Sequence, residues 1–147
     1  MPSLDRPDPI VLGHLLVQHR DLHRLVQAVR EALEPPHNAG AVRGTARGLR
    51  EHLAVHFAQE EQGGFMEEAI ARMPRLSAAV THVLRDHPGL LAELDRWIES
   101  LPVSDDPSAW VTAASDFAVF ADHLLEHERN ENAVVQEGYN EDLGLVD

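Results

Sequence analysis

His52, His56 and Glu60 follow one another at intervals of four in the stretch H-L-A-V-H-F-A-Q-E-E. On an α-helix, residues four apart stack on one face, one turn above the next. The same spacing returns 71 residues later as His123, His127 and Glu131 in H-L-L-E-H-E-R-N-E. Two helices that each carry a His-x-x-x-Glu pair can aim imidazole nitrogens and carboxylate oxygens into one shared interior. That chemistry is a dinuclear metal site, with iron the first choice of metal.

Two further histidine pairs precede these motifs. His14 and His19 lie before the first and His82 and His87 before the second, each pair spaced by five and the two pairs offset by 68 residues. One histidine from each odd helix and one His/Glu pair from each even helix give the set His19, His56, Glu60, His87, His127 and Glu131. Four neutral imidazoles and two carboxylates suit a pair of iron or manganese ions, iron ahead of manganese. The two carboxylates can bridge the metals and leave room for an oxo or hydroxo bridge. A single histidine on an apolar face is more often a satisfied core residue. Six such residues on four helices, duplicated at near-constant offset, are not explained that way, because burying them without a cation is costly.

The remaining histidines divide. His52 and His123 lie one turn before a member of the set, so either can be a fifth histidine ligand or stand behind one. His23, one turn after His19, either substitutes for it or faces solvent. His14 and His82 belong behind the ligands or on the surface, and His37 falls in a loop. Glu61, Glu126 and Glu128 fall off the stripe and read as solvated, with Glu61 or Glu128 able to orient an imidazole.

The elements that must position these side chains are helices. The chain has 147 residues, enough for one domain with a single core. Its hydrophobic content is 44% with only 5% aromatic, so the core is built from Leu, Val and Ala, and helix formers outweigh strand formers. Residues 1–8 read as a loose leader, with Asp8 and Pro9 as cap and first position of a helix ending near Leu33. A second helix runs from about Ala41 to Gln62 and breaks at Gly63-Gly64. Residues 65–73 form a short extension, and Ser77 caps a third helix reaching about Ser100, kinked or broken by Pro88. Asp106-Pro107 opens a fourth helix that Gly138 closes near Glu137, leaving a tail over 138–147. The expected fold is all-α, an up-down-up-down four-helix bundle made of two repeated helical hairpins.

Composition removes other classes. With no cysteine, disulfides, zinc–thiolate sites and iron–sulfur clusters are excluded. A net charge of −13 is the wrong sign for a general binder of nucleic acid or anionic membrane. No signal peptide or membrane-length apolar run is visible, so the expectation is a cytoplasmic protein, monomeric or weakly homo-oligomeric.

The ordered pattern H … H-x-x-x-E … H … H-x-x-x-E resembles the hemerythrin-like, or HHE cation-binding, domain family. The matching segments are V-Q-H-R-D-L-H, H-F-A-Q-E-E, L-R-D-H-P-G-L-L and H-E-R-N-E, spanning about His14 to Glu131. The resemblance implies that His19, His56, His87 and His127 ligate iron and that Glu60 and Glu131 bridge it. Oxygen-carrying hemerythrins have H-x-x-x-H on the third helix and end with H-x-x-x-x-D. Here the third helix has His82 and His87 five apart, and the last motif ends in Glu at plus four. The likeness is therefore to the symmetric bacterial branch, which includes iron-centre repair proteins and iron or oxygen sensors.

Three functions compete at this point. The leading expectation is a non-haem diiron redox enzyme that reacts with peroxide or dioxygen, a peroxidase, catalase-like or oxygen-activating oxidoreductase. The alternative is a non-enzymatic module that binds, carries or senses dioxygen, nitric oxide or iron. A metal-free structural bundle is the third, and the ligand set speaks against it.

Overall fold

The computed structural model describes residues 9–139. Asp8 and the leader 1–8, the His14 side chain and the tail 140–147 lie outside the described residues. The elements are α1 (Pro9–Ala32), α2 (Ala39–Gln62), α3 (Phe65–Arg72), a 3-10 turn (Pro74–Leu76), α4 (Ser77–Glu99) and α5 (Pro107–Tyr139). The long helices α1, α2, α4 and α5 form the expected all-α four-helix bundle, α1 pairing with α2 and α4 with α5.

Local chemistry sets the helix ends. Asn38 caps α2 by accepting a hydrogen bond from the Ala41 amide at 3.1 Å, which starts that helix two residues earlier than its apolar pattern suggests. Asp106 caps α5, its Oδ1 accepting from the Ser108 amide at 3.1 Å, with Pro107 in the first turn. Gly64 turns the chain between α2 and α3 with φ of +80°, a conformation that favours glycine. Ser77 does not cap α4; the 3-10 turn runs directly into it and no side chain bonds its first amides. Pro88 lies inside α4, which continues unbroken from Ser77 to Glu99. Pro88 itself is exposed, and it has no amide proton to give the Leu84 carbonyl one turn earlier.

Gly138 departs from its expected role as a helix stop, because α5 continues through it to Tyr139. Its importance is contact. A Cβ at Gly138 would approach the Ala69 Cβ to 2.8 Å, so the missing side chain lets α3 lie directly on the end of α5.

The apolar interior falls into two clusters. The larger packs Leu22, Leu53, Phe57, Leu90, Leu94, Trp97, Phe117 and Leu124 against their neighbours. The smaller joins Leu15, Met66, Ala69, Leu76, Val80, Val83, Val134 and Val135 at the end covered by α3. Along α1, α4 and α5 the polar residues of interest lie between these two clusters, as His19 does between Leu15 and Leu22. No described helix is long and apolar enough to cross a membrane.

Candidate metal centre

His19 from α1, His56 and Glu60 from α2, His87 from α4, and His127 and Glu131 from α5 are all buried, none more than 4% exposed. They form two groups whose nearest ligand atoms lie within 4.8 Å of one another: His19, His56 and Glu131, and Glu60, His87, His127 and Glu131. Within each group the two imidazoles meet edge to face, His19 and His56 at 5.3 Å and 77°, His87 and His127 at 5.0 Å and 69°. The repeat read in the sequence is thus a repeat in space.

Both carboxylates straddle the groups. Glu60 Oε1 lies 2.5 Å from His56 Nε2 and its Oε2 lies 3.6 Å from His87 Nε2. Glu131 Oε1 lies 2.7 Å from His19 Nε2, and its Oε2 lies 3.4 Å from His127 Nε2. Except for His19 to Glu131, these approaches are close but lack hydrogen-bond alignment. Among the described residues, His56 Nε2, His87 Nε2, His127 Nε2 and both Glu60 oxygens are buried with no well-formed partner. Buried polar atoms left this way are expensive unless something else satisfies them. Cations held between the groups would do so, and the residues present fit a pair of them.

The electrostatics carry the same message. Burial lowers the pKa of His56, but contacts with Glu131 and Glu60 outweigh it and push the imidazole up to about 10. His127 is also raised, Glu131 overcoming the effect of burial. Burial and the facing Glu131 carboxylate push Glu60 up. Glu131 is held well below its ordinary value despite complete burial, because Glu60 and the histidines around it favour its charge. Without metal, the raised imidazoles of His56 and His127 favour positive charge beside Glu131, while the raised Glu60 carboxyl favours its neutral form.

Behind the histidines lies a layer that the helical stripes do not reveal. Gln18 Oε1 is 2.5 Å from His56 Nδ1, and Gln18 is held in turn by Gln59. Glu61 Oε1 is 2.9 Å from His87 Nδ1, and Asp86 Oδ2 is 3.2 Å from His127 Nδ1. Such partners fix the tautomer and would leave Nε2 free to hold a metal ion. Glu61 therefore orients an imidazole, while Gln18 and Asp86 were missed. Their signal is the repeat itself, since each immediately precedes a cluster histidine at the 68-residue offset.

The other candidates separate from the cluster. His123 is exposed and bonds Glu93 at 2.8 Å. His52 is half-buried, with a buried Nε2 that has no partner among the described residues, and it joins neither group. His23 lies largely in solvent and bonds Glu128 at 2.7 Å; Glu128 is buried, contrary to its reading as a solvated residue. His82 is exposed, 3.8 Å from Asp86, and His37 stacks on Trp110 at 4.9 Å. Phe57 stacks on His87 at 3.9 Å and 5°, closing one side of the site with an apolar face.

The hemerythrin HHE cation-binding domain model matches residues 11–137, almost the whole described chain. The protein belongs to that family. No curated protein and no solved structure is a significant match to the chain. A hemerythrin HHE domain with two candidate His/Glu clusters is consistent with a diiron site of the type found in these domains.

Proposed function

We propose that this hemerythrin-like chain is a binding module that holds two iron ions and through them takes up a small ligand such as dioxygen or nitric oxide. In this reading His19 and His56 would hold one ion and His87 and His127 the other, with Glu60 and Glu131 placed to serve both. The observation that carries it is the convergence of six buried side chains that, apart from the His19–Glu131 hydrogen bond, leave His56 Nε2, His87 Nε2, His127 Nε2 and both Glu60 oxygens without a partner among the described residues. When bound, the ions would supply Lewis acidity and one-electron chemistry. The chain's own residues orient the imidazoles, balance charge and exclude bulk water.

Turnover of peroxide is a second reading, favoured by one observation. Helix α4 contributes only His87, because His82 is exposed, and neither His52 nor His123 joins the groups. Four histidines shared between two ions would supply only two nitrogens to each, fewer than a site closed by protein ligands needs. Rapid mixing of the reduced, iron-loaded protein with oxygen, nitric oxide and peroxide separates the readings. Uptake of oxygen that reverses under vacuum supports the binding module. Irreversible oxidation with steady consumption of peroxide overturns it in favour of the enzyme.

A further inference from the structure

The two halves of the site are alike in their histidines and differ in what stands behind them. His87 Nδ1 faces the Glu61 carboxylate and His127 Nδ1 faces the Asp86 carboxylate. In the other half, the 68-residue offset turns Asp86 into Gln18, whose amide oxygen faces His56 Nδ1. The 71-residue offset turns Glu61 into Asn132, again a neutral amide. Asn132 Oδ1 and His19 Nδ1 are both buried without a partner among the described residues. One pair of imidazoles is thus backed by two anions, and the equivalent positions behind the other pair carry two neutral amides.

We propose that the His87/His127 position is the high-affinity position, filled first, and that the His19/His56 position is the weaker, exchangeable one. The inference rests on the two-ion reading above. A carboxylate accepting from Nδ1–H makes an imidazole a stronger donor and adds direct attraction for the cation; an amide does much less of either. A second feature agrees. A surface cavity of about 400 Å³ also reaches His127, lined by the carboxylates Asp86, Glu93 and Glu126 against a single arginine, Arg85. That is a cation-attracting entrance. A cavity of about 210 Å³ between α1 and α5 is instead lined by Val26, Leu124 and Leu125, with Arg30, His23 and Glu128. Glu128 is the one carboxylate lining that cavity, and it is engaged by His23.

The test is anaerobic calorimetric titration of the metal-free full chain with ferrous iron alone. The wild type should bind two ions in separate steps differing at least about tenfold in affinity, the loss typical of removing outer-shell partners. His19→Ala should lose the weaker step and keep the tighter. Glu61→Gln with Asp86→Asn, which keeps hydrogen-bond partners for both imidazoles while removing charge, should merge the steps. Gln18→Glu with Asn132→Asp should strengthen the weaker step. Two ions binding with equal affinity in the wild type would overturn the proposal and leave the two-ion reading standing. So would a gap between the steps unchanged in the Glu61→Gln/Asp86→Asn variant. Uptake of one ion or none would overturn both.

Discussion

Glu60 and Glu131 occupy equivalent places in the two hairpins and approach within 4.8 Å at the centre of the bundle, yet their acidities move in opposite directions. One carboxyl holds its proton above the ordinary range and the other gives it up readily. Two carboxylates this close cannot both ionise cheaply in a buried site, so one charge is shed until a cation arrives. Metal affinity and folding are therefore coupled.

That coupling predicts that metal stabilises the fold. At free metal 100-fold above Kd, linkage supplies ~2.7 kcal/mol, which raises Tm by several degrees for a domain this size. Thermal unfolding of the iron-loaded protein with and without a chelator measures it. Equal melting temperatures would mean that the cluster is satisfied without ions.

Metal-free stability should also depend on pH. The His56 imidazole is raised from 6.5 to about 10, so its contribution is complete below pH 6.5 and is lost as pH rises through about 10. Glu131, held well below 4.5, acts oppositely, its contribution present above 4.5 and lost as pH falls. Between pH 7 and 10 the metal-free protein should become steadily easier to unfold, whereas the loaded protein, with cations in place of protons, should change less. Denaturant midpoints across that range test both statements.

Substitutions at adjacent glutamates should diverge. Glu60→Ala or Glu131→Ala removes a residue that spans both groups and should abolish two-ion binding. Glu61→Ala should retain two ions at roughly 10- to 100-fold lower affinity, since Glu61 only backs His87. Metal content after dialysis at fixed free iron distinguishes them. Normal stoichiometry in Glu60→Ala would show that the bridging role is misassigned.

Packing makes its own forecast. Gly138→Ala places a methyl 2.8 Å from the Ala69 Cβ, and overpacking of this kind costs about 1–3 kcal/mol. Phe57→Ala empties the space stacked on His87, at about 3–5 kcal/mol. Chemical denaturation checks both; a Gly138→Ala variant as stable as the wild type would mean that α3 does not seat on α5.

Much of this was legible in the sequence. Period-four spacing and the 68- and 71-residue offsets put His19, His56, Glu60, His87, His127 and Glu131 on facing helix stripes, because helical geometry fixes which side chains share a face. The layer behind them was less legible. Gln18 and Asp86 reach histidines on neighbouring helices, a contact set by bundle packing that a single-helix pattern does not contain. Glu128 looked solvated for the same reason, since its partner His23 comes from α1. Gly138 carries a helix-stop signal in isolation, and only the arrival of α3 shows that the missing side chain makes room for a contact.

The most direct test of the central claim is the iron content of the full-length protein after anaerobic reconstitution, exposure to air and removal of loose metal. Two irons per chain are expected, with near-ultraviolet charge-transfer absorption from an oxo bridge and loss of both in Glu131→Ala. A wild-type protein that retains no iron, or holds only zinc and takes up no iron in its place, would contradict the account.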